Sequence, residues 1–252
     1  MRVNIDKAGR VLKNKLGLIL RRGSDFILYA IRSKSRYRIH SQFVYEFIEY
    51  VFSKESLPSK AILIEEWRKQ CKKNKQSIEM VDYGAGGNGS TRKVKISSLV
   101  KSSISKRKGA FLYRCALFCG AKEILELGTC LGISTAYLAM SGATVTSVEG
   151  CPTLCQISSA FLQNAGFNNV KLVNTRFPMI IEQFLDENKK FDLIFLDGDH
   201  KPYTLRYYIH SLCNLLNENG ILIIDDIRYD RKTYRIWQEC SHEAHPLLIV
   251  EF

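Results

Sequence analysis

The chain has 252 residues, of which 46% are hydrophobic and 25% charged, and its formal net charge is +12. This length and apolar content suffice for one well-cored domain with an extension but are thin for two full domains. The eight cysteines form no Cys-x-x-Cys pair, so we expect reduced thiols and a cytoplasmic protein. No N-terminal stretch has the pattern of a signal peptide, and no apolar run approaches the length of a membrane span.

The positive charge is concentrated in the first part of the chain. Residues 1–110 carry 25 Lys and Arg against nine Asp and Glu, whereas residues 111–252 carry 12 against 16. We therefore predict a basic, mainly helical N-terminal extension with a lid or loop over residues 1–109, and an α/β domain over residues 110–252. A basic extension suits an anionic partner such as nucleic acid, but it also suits a solvated surface, and the sequence leaves both open.

The extension shows helical patterns followed by a polar stretch. Apolar residues recur at helical spacing between residues 11 and 52, which predicts two or three short helices, and a further helix is predicted over residues 59–73. Such helices can lie on a membrane surface, but stripes of this kind more often pack on a neighbouring domain. Residues 77–108 are rich in Gly, Ser and Lys, so we predict a long loop or lid with one helix through residues 94–103.

From residue 110 onward, short apolar runs alternate with amphipathic helical stretches, which is the pattern of parallel βαβ units. We predict strands over residues 123–127, 144–148, 170–173, 191–196, 220–224 and 247–250. The expected fold is a Rossmann-like α/β sheet with helices on both faces. Its last edge is either one strand short or completed by the N-terminal region or by a partner in a homo-oligomer. Ligands of such sheets bind beyond the carboxyl ends of the strands.

The segment from Glu126 to Thr135 has the pattern of a strand end, a glycine turn and a helix start. Its spacing, Glu-x-Gly-x-x-x-Gly, differs from the Gly-x-Gly-x-x-Gly of dinucleotide binders. Gly128 and Gly132 allow close backbone approach to a ligand, and free N–H groups at the helix start can bind a carboxylate. Glu149 follows 21 residues after Gly128, where an acidic side chain can accept hydrogen bonds from ribose hydroxyls. A carboxylate and a ribose together describe S-adenosylmethionine.

A second acid-and-glycine turn, Asp82-Tyr83-Gly84, precedes this segment. No acid occurs between Asp82 and Glu123, so nothing stands where a ribose ligand is expected. We therefore predict that this turn is structural or belongs to a cover over the site.

The α/β region contains four characteristic segments, ILELGTCLGIST, VTSVEG, FDLIFLDGDHKPY and GILIIDDI. In order and spacing they resemble the class I S-adenosylmethionine-dependent methyltransferases of the small O-methyltransferase type, which include catechol and caffeoyl-CoA O-methyltransferases. The resemblance covers about residues 106–230 and implies O-methylation of a small-molecule acceptor. It implies a cofactor site formed by Glu126, Gly128, Thr129, Gly132, Ser134, Glu149, Gly150 and Asp197.

The resemblance also suggests how the acceptor is activated. In catechol-type relatives the positions of Asp197, Asp225 and Asp226 hold a divalent cation that binds the acceptor's oxygens, which implies Mg²⁺ or Ca²⁺ and a diol. Asp226 departs from the family's Asn, and Asp225 has a plain alternative role in capping a helix, so a metal is left open. His200 lies three residues after Asp197, where those relatives place a lysine base. We expect His200 and Asp197 to be the catalytic residues.

Two other functions compete with this interpretation. The basic extension fits an RNA methyltransferase, but enzymes of exocyclic base amines carry an Asn/Asp-Pro-Pro-aromatic motif, and this chain has Asp197-Gly198-Asp199-His200 instead. A non-catalytic protein that keeps the cofactor fold is the other alternative. The intact Gly128, Gly132 and Glu149 argue against it.

Overall fold

The computed structural model describes residues 42–84, 87, 89–199, 201–228 and 230–243. Its contacts divide the chain into two compact units, residues 1–48 and 49–252. The predicted boundary between residues 109 and 110 stays a prediction. The helices expected before residue 42 and the strand expected over residues 247–250 lie outside the described residues. Among the helices that the structure describes, none has the length and apolarity needed to cross a membrane.

The secondary structure alternates between helices and strands beyond residue 105. The described helices are α1 (Gln42–Val51), α2 (Lys60–Lys73), α3 (Ile96–Leu99), α4 (Lys106–Phe118), α5 (Ile133–Ala139), α6 (Pro152–Asn164), α7 (Phe177–Asp186), α8 (Pro202–Leu215) and α9 (Arg231–Glu243). The strands are β1 (Ser77–Asp82), β2 (Ser90–Lys95), β3 (Glu123–Leu127), β4 (Thr144–Glu149), β5 (Val170–Asn174), β6 (Phe191–Leu196) and β7 (Leu216–Ile224). Proline occupies the first turn of α6, α7 and α8, where its missing N–H costs no helical hydrogen bond.

Five strands form one parallel sheet in the order β5-β4-β3-β6-β7. This confirms the predicted Rossmann-like α/β class. The chain leaves β3 toward β4 on one side and later returns to β6 on the other, so the order reverses beside β3 and a crevice opens beyond the ends of β3 and β6. Strands covered on both faces read as continuous apolar runs, and Ile124, Leu125 and Leu127 of β3 are fully buried.

The last described strand is longer than predicted. β7 begins at Leu216, whereas its apolar run begins only after Gly220. The pairing of Phe191 with Leu216 is followed by a register shift, and Asn219 has a positive φ of 66°. An irregularity of this kind keeps a turn-like sequence inside a strand, which is why the pattern alone hid it.

The structure overturns the loop predicted after residue 77. β1 and β2 form an antiparallel hairpin that pairs Ser77 with Lys95 and Asp82 with Ser90. Ile78 is buried on one face of β1, but the alternating pattern is too short to stand out in a polar stretch. The helix expected over residues 94–103 is likewise reduced to α3.

Helix α2 is built into the same compact unit as the parallel sheet. The Trp67 ring stacks on Phe161 of α6, with centroids 4.9 Å apart and planes 6° apart. Its indole N–H donates a 2.9 Å hydrogen bond to the Leu131 carbonyl, and the Tyr137 hydroxyl donates to Glu65 at 2.8 Å. These contacts hold α2 over the glycine turn and α5.

Candidate active site

The turn between β3 and α5 has an unusual backbone. Gly128, Cys130 and Gly132 all have positive φ, of 115°, 47° and 74°. A Cβ added to Gly128 would lie 2.1 Å from the Asp197 carbonyl oxygen, so only glycine fits there. Cys130 is a non-glycine residue in the sparsely populated left-handed region, where strain is characteristic of functional turns. The turn therefore presses directly against the loop that follows β6.

Glu126 carries a buried carboxylate beneath this turn. Its Oε2 accepts hydrogen bonds of 2.5 Å from the hydroxyls of Thr135 and Ser147, and the hydroxyls of Ser147 and Thr129 lie 2.6 Å apart. Burial raises the pKa of Glu126, while the neighbouring hydroxyls of Ser134, Ser147 and Thr135 oppose the rise. Among the described residues, none donates a hydrogen bond to its buried Oε1. The network fixes the carboxylate and leaves one acceptor atom for a further donor.

Glu149 lies at the end of β4, beside the same turn. Its carboxylate accepts hydrogen bonds from the backbone N–H of Cys130 at 2.8 Å and of Cys151 at 2.9 Å. Burial raises the pKa of Glu149, and these N–H groups oppose the rise because they favour the charged form. Glu149 is thereby tied to the glycine turn.

The tip of the β1–β2 hairpin reaches the residue that follows Glu149. A Cβ added to Gly150 would lie 2.7 Å from Cδ2 of Tyr83, so the tyrosine ring packs on the glycine backbone. Lys201 donates a 2.9 Å hydrogen bond to the Tyr83 carbonyl and forms a 3.2 Å ion pair with Asp199. The hairpin tip is therefore linked both to the end of β4 and to the loop after β6.

Asp197 follows β6 and is partly buried. Burial, together with the charges of Asp225, Glu126 and Asp226, raises the pKa of Asp197 to about 8, although Lys108 lowers it. The carboxyl group is thus largely protonated at neutral pH in this environment. A cation placed beside it would favour its ionised form.

Asp225 and Asp226 follow β7. Lys108 of α4 donates to both carboxylate oxygens of Asp225, at 2.5 Å and 2.8 Å, and the Asp226 N–H donates to Asp225 Oδ1 at 2.9 Å. The backbone N–H of Asp225 bonds to the Leu196 carbonyl at 3.0 Å, which places this group beside the residue preceding Asp197. Asp226 is exposed and has a positive φ of 54°.

A small pocket of about 170 Å³ opens beside the Lys108–Asp225 pair. Its polar lining is Lys108, Asp225, Asp226 and Arg228, and its apolar walls include Ile104, Phe111, Leu112 and Phe195. Pockets for drug-sized ligands measure about 300–1,000 Å³, so this one suits a single-ring molecule. Its lining combines apolar and charged side chains.

The three carboxylates expected to hold a metal do not gather as ligands. In the part of the chain that the structure describes, the His, Cys, Asp and Glu side chains with ligand atoms within 4.8 Å of one another are His210, Cys240 and Glu243. Asp197, Asp225 and Asp226 do not form such a group, because their carboxylate oxygens do not all lie within 4.8 Å of one another, and Asp225 is paired with Lys108. The arrangement therefore does not fit the predicted divalent cation.

The expected cofactor residues lie around neighbouring strand ends. Glu126, Gly128, Thr129, Gly132, Ser134, Glu149, Gly150 and Asp197 lie at or next to the carboxyl ends of β3, β4 and β6. Their roles stay predictions. His200, the expected base, lies outside the described residues.

Sequence reasoning missed two residues at this site. Lys108 was one of many basic residues in a stretch predicted to be a loop, so no local signal marked it. Tyr83 was predicted to belong to a structural turn or cover, and only its neighbouring glycines hinted at a specific position.

Comparisons with known proteins agree with the predicted family. Residues 90–244 match the family model described as O-methyltransferase. A catechol O-methyltransferase of Niastella koreensis is 33% identical over 129 residues, covering 49% of this chain and 57% of that protein. A catechol O-methyltransferase of Mycobacterium tuberculosis is 27% identical over 139 residues, covering 52% and 60%. The matched region thus spans little more than half the length of these relatives.

The fold has solved counterparts. The Bacillus cereus O-methyltransferase, whose structure is described as a complex with SAH, aligns with a TM-score of 0.55 at 20% identity and covers 81% of this chain and 86% of its own. At that identity the likeness supports the fold alone. The family match, however, spans more than half of the residues, and the chain therefore belongs to the O-methyltransferase family, as its four motifs predicted.

Proposed function

We propose that this chain transfers a methyl group from S-adenosylmethionine to a hydroxyl oxygen of a small-molecule acceptor. The proposal rests on the contacts that join the ends of β3, β4 and β6. Gly128 abuts Asp197, and the N–H of Cys130 in the same turn holds Glu149. Family membership supports the reaction class, and the Bacillus cereus relative was solved with SAH, S-adenosylhomocysteine, which is the demethylated cofactor.

The residues present fit this cofactor. The crossing at Gly128 leaves no room for a side chain, Glu126 Oε1 has no donor among the described residues, and Glu149 presents a carboxylate beside the turn. By the family resemblance, Glu126, Gly128, Thr129, Gly132 and Ser134 would hold the amino-acid end, Glu149 and Gly150 the ribose, and Asp197 the amino group. When bound, S-adenosylmethionine supplies a methyl group on a sulfonium, an electrophile for displacement by an oxygen.

The acceptor would bind in the pocket lined by Lys108 and Asp225. Methyl transfer depends chiefly on alignment of the acceptor oxygen and on loss of its proton. The apolar walls Phe111 and Phe195 would orient a flat ring, and the pocket's small size would restrict its position. We propose His200 as the proton acceptor and Asp197 as the carboxylate that orients the cofactor.

Cofactor binding and turnover together test the proposal. Calorimetry with S-adenosylhomocysteine should show one site, and Glu149→Gln should weaken it by about tenfold or more, because one ribose-facing charge is lost. Glu187→Gln, an exposed carboxylate at the end of α7, is the matched control and should bind normally. Methylation of a panel of phenols by labelled S-adenosylmethionine should follow. Absence of cofactor binding in the folded wild type would refute the proposal.

The basic N-terminal extension has no assigned partner in this proposal. The relatives described above are named for catechol or for O-methyl transfer, and nothing in them favours nucleic acid.

A further inference from the structure

Lys108 occupies a defined position at the acceptor site. It lies in the first turn of α4, where its N–H is capped at 3.2 Å by the Ser105 hydroxyl. Its Nζ reaches across 117 residues of sequence to hold both oxygens of Asp225, at 2.5 Å and 2.8 Å. The cap fixes the start of the helix, and the two hydrogen bonds to Asp225 fix the ammonium group.

Three acidic residues lie near the ammonium, and Asp225 is the one in direct contact with it. The charges of Asp225 and Asp226 raise the pKa of Asp197, and the charge of Lys108 lowers it, so the ammonium partly offsets the negative charge at this place. A divalent cation at this place would need the Asp225 oxygens that the ammonium already holds. The carboxylates also fail to bring one oxygen each within 4.8 Å of the others. Lys108 therefore supplies the positive charge that a metal would otherwise contribute.

We propose that the Lys108 ammonium, held by Asp225, replaces the divalent cation of catechol-type relatives as the group that binds the acceptor oxygen. The inference rests on the proposed function and names the acceptor class. Chelation by a metal needs two adjacent oxygens, whereas one ammonium needs a single oxyanion. The acceptor is accordingly an aromatic compound with one ionisable hydroxyl, and a second hydroxyl is dispensable.

The chemical step balances without a metal. The acceptor hydroxyl gives its proton to the base, proposed above to be His200, and the resulting oxyanion is stabilised by the Lys108 ammonium. An oxygen electron pair forms the new O–C bond to the methyl group while the C–S bond breaks. Its electron pair goes to sulfur, so that the sulfonium becomes the neutral thioether of S-adenosylhomocysteine.

A Mn²⁺ titration followed by electron paramagnetic resonance tests the replacement without any turnover. Wild-type protein should bind no Mn²⁺ at this site, even at millimolar concentrations of the ion. Lys108→Ala should gain one bound Mn²⁺ per chain, because it leaves the carboxylates without their counterion, and adding Asp225→Asn should abolish the gain. Lys106→Ala removes an exposed lysine from the same helical turn and should behave as wild type.

Two results of this titration would overturn the inference. One is Mn²⁺ binding to the wild type that Asp225→Asn removes, since the metal would then displace Lys108. The other is a Lys108→Ala titration identical to that of the wild type.

Turnover measurements provide a second test, with 4-hydroxybenzoate and 3,4-dihydroxybenzoate as the acceptor probes. Wild-type methylation should be unaffected by EDTA and should include the single-hydroxyl probe. Lys108→Ala should lose about 10²- to 10³-fold in kcat, as when an oxyanion-stabilising donor is removed, and much less in affinity for S-adenosylhomocysteine. Mn²⁺ should then restore part of its activity toward the dihydroxy probe only. EDTA-sensitive wild-type activity would contradict the inference.

The two proposals fail separately. Loss of all cofactor binding, or absence of methylation with every phenol, would count against the proposed function. The Mn²⁺ titration would still decide whether Lys108 stands in the place of the cation.

Discussion

Gly128 lies so close to the backbone of Asp197 that any side chain at position 128 would collide with the Asp197 carbonyl oxygen. A Cβ on Gly128 would lie 2.1 Å from that oxygen, and the glycine φ of 115° is itself unfavourable for other residues. This crossing joins the ends of β3 and β6, where the sheet order reverses. The geometry at these strand ends therefore depends on glycine at position 128.

Gly128→Ala should displace the loop that contains Asp197. We expect the free energy of unfolding to fall by about 1–3 kcal/mol, from backbone strain together with the clash, and the affinity for S-adenosylhomocysteine to fall as well. Urea unfolding and calorimetry measure the two effects.

Gly142→Ala is the matched control for this substitution. Gly142 also has a positive φ, of 87°, but open space surrounds the added Cβ. It should therefore lose stability without losing cofactor affinity. Equal cofactor affinity in the two variants would show that the crossing is unimportant.

Binding of the cofactor should release a proton near neutral pH. The pKa of Asp197 is raised, chiefly by burial, to about 8, so a cofactor amino group that binds Asp197 as proposed would favour the ionised form and expel the proton. The release should vanish well above pH 8, where the group is already ionised. Calorimetry at pH 7 in buffers of different ionisation enthalpy measures it, and Asp197→Asn should abolish it.

The same group makes the stability of the empty protein depend on pH. The folded-state pKa of Asp197, about 8, lies above the ordinary value of 3.8, so the folded protein holds the proton more tightly than the unfolded chain. Its contribution to stability is complete below pH 3.8 and is lost as the pH rises through 8. Asp197→Asn should therefore gain more stability over the wild type at pH 9 than at pH 5. A pH-independent difference in urea unfolding would contradict this assignment.

Tyr83→Ala should weaken cofactor binding by a few-fold to about tenfold, because the ring that packs on Gly150 beside Glu149 is removed. Tyr83→Phe keeps the ring and should bind S-adenosylhomocysteine normally. Calorimetry distinguishes a contribution of the ring from one of the hydroxyl. A phenylalanine variant as weak as the alanine variant would exclude ring packing as the cause.

Trp67→Phe should lower the free energy of unfolding by about 1–2 kcal/mol. The variant retains a ring against Phe161 but loses the 2.9 Å hydrogen bond to the Leu131 carbonyl in the glycine turn. Urea unfolding measures the loss. Phe161→Leu is the companion variant, since it removes the stacking and keeps the hydrogen bond. No change in stability for Trp67→Phe would mean that water replaces the bond without cost.

Much of the α/β architecture could be predicted because its strands are buried on both faces. β3 and β6 were placed at their observed bounds, since a parallel strand covered by helices must be apolar throughout. The glycine turn was equally visible, because backbone with positive φ selects glycine locally. Both signals depend only on neighbours in the sequence.

The proposed acceptor side was decided by tertiary structure. Lys108 and Asp225 are 117 residues apart, and their contact follows from the packing of α4 beside the end of β7. The same holds for Tyr83, which reaches Gly150 only because the β1–β2 hairpin folds over the end of β4. The sequence alone determines the charge and size of each side chain. Its partner depends on which elements pack together, and that is set by burial over the whole sheet rather than by any local pattern.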